Sequence, residues 1–258
     1  MENALKKIVA AQKAGKATGI YSCCSANEYV IKAALLKGRK DNSCVLIEST
    51  ANQCDQYGGY TGMKPADFRI FVEKLADEIH FDKSRLFLGG DHLGPLTFAS
   101  MPEEEAMKEA EELIRQYVAA GFTKIHIDTS MKVADDDREA RLSDSTIARR
   151  GAQLAKVAEE TFLELKKSCP DAVEPVYIVG SEVPIPGGQQ GGAQTDQVQV
   201  TRPEDFKATL RAFEEAFSAR GLDHAWNNVI GIVVQPGVEE KDAGCTEYDR
   251  SKAATLCE

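Results

Sequence analysis

The residues best suited to chemistry in this sequence are carboxylates and histidines that close short apolar runs. In LGGDHLGP the pair Asp91–His92 follows two glycines. A histidine beside a carboxylate is raw material for a metal ligand or a general acid–base group. The glycines would let the backbone come close to a ligand. In KIHIDTS, Lys124, His126 and Asp128 fall on one period-two set while Ile125 and Ile127 fall on the other. The isoleucines suit packing against helices, which turns the polar set to the opposite face. A carboxylate buried there is costly unless paired or metal-bound. Two readings therefore stand for this strand: a working site around Asp128, or a structural network of Lys124, His126 and Asp128. Glu182, in GSEVPIPGG, sits between an apolar run and two prolines that would hold it still, as a catalytic or metal-binding carboxylate. Glu48 and Asn52 follow another apolar run, and Gln235 a last one; these three are the expected substrate-binding groups. Of the four histidines, His80 and His224 fall in helix or loop stretches, and one histidine alone is no zinc site.

These groups need elements to bring them together, and the hydrophobic pattern supplies them. Short Val/Ile-rich runs (19–24, 43–50, 85–95, 124–130, 176–183 and 228–237) alternate with amphipathic stretches (3–14, 26–37, 65–80, 102–120, 143–168 and 201–220). Pro65 and Pro102 open helices, and Thr201 with Glu204 reads as a capping box. The last stretch, YDRSKAATL, begins one more helix. Strict alternation predicts an α/β fold, either a doubly wound sheet or a (β/α)8 barrel. The barrel is the better fit. No glycine-rich dinucleotide fingerprint follows the first strand, and polar groups close several different strands, as they do around a barrel mouth. Eight units close such a barrel and six are legible here. The expectation is a single (β/α)-barrel domain over 1–258, truncated after its sixth strand and incomplete at the C-terminus.

Composition narrows the function classes. A formal net charge of −10, without a clustered basic patch, argues against nucleic acid. No apolar run is long enough to span a bilayer, and the first residues lack a signal-peptide core. Seven cysteines, an odd number with no CxxC spacing, read as reduced thiols, which makes the cytoplasm the expected compartment. Cys23 and Cys24, on opposite strand faces, read as packing residues, as does Trp226. GGYTG (58–62) and GGQQGG (187–192) match no phosphate-binding P-loop and read as flexible loops.

Six phrases in order, IYSCCSAN, VLIESTANQCDQYGGYTGMKPADF, LGGDHLGP, AGFTKIHIDTSM, VGSEVPIPGG and IVVQPGVE, carry a resemblance through essentially the whole chain. It resembles the accessory, Z-type subunit family of D-tagatose-1,6-bisphosphate aldolase, of galactitol, N-acetylgalactosamine and tagatose catabolism. The resemblance implies a (β/α)8 barrel working beside a class II aldolase catalytic subunit, with a small ketose phosphate as ligand. Some relatives are metal-dependent sugar or sugar-phosphate 4-epimerases, which gives an alternative role to Asp91, His92, Asp128 and Glu182. The family also carries a tagatose-6-phosphate kinase label, for which this sequence has no nucleotide motif. A more distant likeness to the class II aldolases implies a metal on His92 and proton transfer by Asp91. The further histidines those enzymes use are missing from the fifth and sixth strands, which offer Glu182 and Gln235. The implied cofactor is thus a divalent metal (Zn, Mg or Ni), bound through His92 and Glu182, with no nucleotide.

Overall fold

The structure, a computed structural model, describes residues 3–180, 200–238, 240–241 and 244–257. Six strands form one parallel sheet: β1 (Ser22–Cys24), β2 (Val45–Thr50), β3 (Leu86–Leu93), β4 (Lys124–Ile127), β5 (Val176–Val179) and β6 (Val229–Ile232). Their spatial order is their chain order, the order of consecutive units in a (β/α)8 barrel. The sheet is open, with β1 and β6 at its edges. A small antiparallel hairpin, β7 (Glu240–Lys241) with β8 (Gly244–Cys245), stands apart.

Helices connect the strands: α1 (Leu5–Lys13) precedes the sheet, then α2 (Glu28–Asp41), α3 (Pro65–Glu78), α4 (Glu103–Ala119), α5 (Asp144–Ser168), α6 (Pro203–Ser218), α7 (Asp223–Trp226) and α8 (Arg250–Cys257). Local signals set their ends. Asn27 caps α2 by accepting from the Tyr29 and Val30 amides, and Ser143 caps α5 by accepting from Thr146. The capping box expected from Thr201 and Glu204 does not form. Arg202 is the N-cap of α6, and Thr201 pairs sideways instead: its hydroxyl accepts from the Gln235 amide at 2.8 Å, and its own amide donates to the Gln235 carbonyl at 2.9 Å. Trp226 packs edge-on against Phe217, ring centres 5.5 Å apart.

Alternation along the strands sorts side chains to two faces. Outward residues Val45, Ile47, Ile125, Ile127, Tyr177 and Val179 join one core with the inner stripes of α2 to α6. In α4 that stripe is Ala106, Met107, Ala110, Leu113, Ile114, Tyr117 and Val118, a helical repeat. The inward face is divided by depth. Near the N-terminal strand ends Leu46, Phe87 and Val176 form an apolar layer, closed from below by Leu5 of α1. The Asn3 carboxamide anchors that plug by donating to the carbonyls of Thr123 and Glu174, which immediately precede or approach β4 and β5. One layer higher, toward the C-terminal ends, the inward residues turn polar. Among the described residues no helix is long and apolar enough to cross a membrane.

Candidate functional site

Register explains how the polar groups meet. Glu48 of β2 pairs with Gly89 of β3, which pairs with Lys124 of β4. A Cβ on Gly89 would sit 2.4 Å from Glu48 Oε1, so the missing side chain makes room for Glu48 to reach across. Lys124 Nζ meets Glu48 Oε1 at 2.7 Å and Asp91 Oδ1 at 3.5 Å. Gly90 likewise yields to Leu93 and Tyr117. The two glycines thus serve neighbouring protein side chains, rather than backbone approach to a ligand.

The β3–β4 register then slips by one residue between Gly90 and Leu93. Two residues of β3, Asp91 and His92, stand against one of β4, His126. His92 absorbs the extra residue with φ +50°, in the left-handed region that non-glycine residues seldom adopt. Consecutive residues therefore both serve the site. His126 Nδ1 lies 2.8 Å from Asp91 Oδ1, with the His92 amide 3.3 Å away. His92 Nδ1 lies 2.9 Å from Asp128 Oδ2, and the two imidazole centres are 4.9 Å apart. Asp128 also accepts from the Ser130 amide and hydroxyl. The chain leaves β3 past Gly94, whose hypothetical Cβ would fall 1.7 Å from the Asp128 carbonyl oxygen; only glycine allows that approach.

Electrostatics follow from this packing. Burial pushes the Asp91 carboxyl up, but the hydrogen bond with His126 and the charges of Lys124 and the imidazoles outweigh it and hold it below the usual range. Asp128 is also lowered: burial opposes ionisation, and bonds from His92 and Ser130 win. Glu48 goes the other way, raised by burial beyond what Lys124 recovers. Burial, with Asp91 and Glu48 nearby, also raises the inward thiol of Cys24, which keeps it a thiol.

Two contacts compete for His126 Nδ1: the His92 amide donates toward it at 3.3 Å, whereas an ionised Asp91 at 2.8 Å needs the proton there, and the shorter, charge-assisted contact is the stronger. The Nε2 of His126 is buried and has no hydrogen-bond partner among the described residues. Asp91, His92 and His126 each offer a ligand atom, all within 4.8 Å of one another. The donor set of two imidazoles and one carboxylate suits a transition-type divalent ion. Among the described residues, Asp91 and Asp128 are the carboxylates held low here, and a dication would share their charge with Lys124 and the imidazoles. The residues present therefore fit a divalent metal.

Of the residues singled out in the sequence, Glu48, Asp91, His92 and Asp128 come together here. Asn52 is exposed beyond β2, and its carbonyl accepts from the Tyr60 amide. Gln235 closes the exit of β6, its side-chain oxygen accepting from Gly237 and Val238. Glu182 and the GGQQGG stretch lie outside the described residues. GGYTG is a bonded turn rather than an open loop: it contains a 3-10 turn, Gly59–Thr61, and Asp55 accepts from the Tyr57 and Gly59 amides. His126 joins the candidate donor set, a role its sequence position signals only through the period-two pattern that turns it inward beside Asp128.

A consecutive parallel β/α array carrying inward carboxylates, histidines and a lysine toward the C-terminal ends of its strands is a (β/α)-barrel arrangement with a polar mouth. Residues 5–258 match the family model described as D-tagatose-1,6-bisphosphate aldolase subunit GatZ/KbaZ-like, and the chain belongs to that family. It is similar to the crystal structure of a probable tagatose 6 phosphate kinase from Sinorhizobium meliloti 1021, with 43% identity and a TM-score of 0.78 over 93% of this chain. The chain spans 56% of that protein's length. A weaker likeness, with 14% identity and a TM-score of 0.43 over 89% of this chain and 77% of the other, is to a candidate fructose-1,6-biphosphate aldolase from Coccidioides immitis; nothing is drawn from it.

Proposed function

We propose that this member of the tagatose-bisphosphate aldolase subunit family binds a divalent metal at the mouth of its barrel and acts there on a small ketose phosphate. The observation that carries this is the grouping of one ligand atom each from Asp91, His92 and His126 within 4.8 Å, with His126 Nε2 buried and without a hydrogen-bond partner among the described residues. A bound dication (Zn, Mg or Ni) would polarise a ketose carbonyl and stabilise the charge of an enediolate. The protein supplies the rest. Lys124 keeps Asp91 ionised and in place, Asp91 orients His126, and His92 orients Asp128, the candidate for exchanging a proton with the ligand. Glu182, from the stretch after β5, is the further acid–base or ligand candidate, and Asn52 and Gln235 are candidate ligand contacts from the flanking strand exits. Removal of the 4-hydroxyl proton with cleavage of the C3–C4 bond would leave an enediolate and an aldehyde; 4-epimerisation would follow if the aldehyde turned and the same bond re-formed on its other face, so cleavage and epimerisation would share this machinery.

A second reading rests on the family description itself, which names a subunit. In it the chain supports a class II aldolase catalytic subunit in cytoplasmic galactitol, N-acetylgalactosamine or tagatose breakdown, without turnover of its own. One experiment separates the two. Metal content and turnover of D-tagatose 1,6-bisphosphate are measured for the protein alone, for His126→Ala, and with a class II aldolase subunit added. Stoichiometric metal and turnover in the protein alone, both lost in His126→Ala, are the expected result. No metal and no turnover alone, with raised aldolase activity in the mixture, would refute the metal reading and establish the supporting one.

A further inference from the structure

Gln53, which follows β2, has a side chain locked in one orientation at the edge of this site. Its Oε1 lies 2.9 Å from the Thr50 amide and 3.9 Å from the Cys24 thiol. A backbone N–H can only donate, so the atom facing Thr50 must be the carboxamide oxygen, and the amide nitrogen points the other way. Cys24 in turn sits on the inward face, paired in register with Glu48, and its thiol neighbours Asp91. The half-buried carboxamide therefore borders the polar mouth with two N–H donors turned away from the backbone that holds it.

The GGYTG turn is what fixes this residue. The Gln53 carbonyl accepts from the Thr61 hydroxyl at 2.6 Å and from its amide at 3.4 Å. Gly59 packs directly on the Asn52–Gln53 peptide: a Cβ there would lie 2.6 Å from the Gln53 carbonyl carbon, and φ is +53°. Gly59 and Thr61 form a clamp on the backbone of Gln53.

We infer that Gln53 is a ligand-binding residue whose carboxamide donates hydrogen bonds to a sugar oxygen of the ketose phosphate. This rests on the reading that the barrel mouth binds such a ligand. The phosphoryl group is not its partner, because the carboxylates of the mouth, Asp91 and Asp128, disfavour a phosphate dianion there. Glu48, Asp91 and Asp128 as carboxylates offer acceptors only, and a polyol needs donors as well, which the Gln53 carboxamide supplies.

The test is Gln53→Glu, which keeps the oxygen facing Thr50 and exchanges the donors for an acceptor, with Gln53→Met as the uncharged variant should the first not fold. Binding of D-tagatose 1,6-bisphosphate to the metal-loaded protein is measured by calorimetry, together with metal stoichiometry and a thermal melt. The expected result is an affinity at least tenfold weaker in either variant, with metal content unchanged. Affinity within twofold of the parent would overturn the assignment of Gln53 and leave the metal site standing. A parent protein that binds metal but no sugar bisphosphate would overturn the ligand reading and this inference with it. An equal loss for inorganic phosphate would reassign the contact to phosphate and overturn the sugar-oxygen assignment.

Discussion

Gly94→Ala is the most severe test of how the site is assembled. The added Cβ would begin 1.7 Å from the Asp128 carbonyl oxygen, and the second atom is rigid backbone. A carbon–oxygen contact relaxes only at about 3.4 Å, so the β3 exit and the β4 end must part by roughly 1.5 Å or more. Two bonds cross that seam: the Asp128 amide to the Leu93 carbonyl at 3.0 Å, and His92 to Asp128 at 2.9 Å. Neither survives such an opening. Their loss is worth about 1 kcal/mol for the backbone bond and about 1.5–3 for the bond to the carboxylate. The variant should therefore be about 2–4 kcal/mol less stable, a fall in Tm of roughly 5–15 °C for a domain of this size. It should also lose metal affinity, because His92 and His126 sit on the two elements being forced apart. Thermal melts and metal titration against Gly19→Ala, where an added Cβ meets nothing within 4 Å, would measure both. A Gly94→Ala protein matching that control in melt and metal binding would show that the β3–β4 seam does not hold the site.

Arg150, fully buried, holds Asp136 with two bonds (2.8 and 3.0 Å) and Glu103 with a third (2.6 Å), tying the β4–α5 loop to the start of α4. Arg150→Met should cost about 3–5 kcal/mol at neutral pH, read from chemical denaturation. In both carboxylates burial raises the pKa and the bonds from Arg150 more than reverse it, so each is lowered in the folded protein. Their contribution is then fully present above the unfolded carboxylate pKa of about 4 and fades as pH falls through the folded values. The stability gap between parent and Arg150→Met should narrow on acidification; a gap constant down to pH 3 would contradict this. The double variant Glu48→Leu/Lys124→Met replaces a buried ion pair with apolar groups of similar size. It should be as stable as the parent or up to about 3 kcal/mol more stable, yet lose metal, and a large loss of stability would mark the pair as structural.

Much of this was legible. Period two in KIHID alone turns Lys124, His126 and Asp128 inward and the isoleucines outward, as observed. The six strands and their helices follow from Val/Ile runs, prolines and caps that act locally. What was not legible depends on contacts between distant segments. The one-residue slip that lets Asp91 and His92 both face the site is a property of the β3–β4 pairing, absent from either strand alone. Thr201 met the local rule for a cap, but the exit of β6 competed for the same hydroxyl and won. Gln53 carried no signal beside Asn52, because the clamp that orients it comes from Gly59 and Thr61, several residues further on.

The polar mouth is not something the fold requires. One layer below it, the same inward faces of β2, β3 and β5 carry Leu46, Phe87 and Val176 and pack without penalty. Continuing that pattern upward would bury apolar surface at about 25 cal/mol per Å2. Instead the chain buries Glu48, Lys124, His126 and Asp128 almost completely, and His126 Nε2 has no hydrogen-bond partner among the described residues. It also holds His92 in a backbone conformation that costs on the order of 1–3 kcal/mol. Buried ion pairs seldom repay their desolvation in stability. Desolvated charge, backbone strain and a ligand atom unpartnered among the described residues are thus not explained by stability of the fold, and the donor set suits a dication.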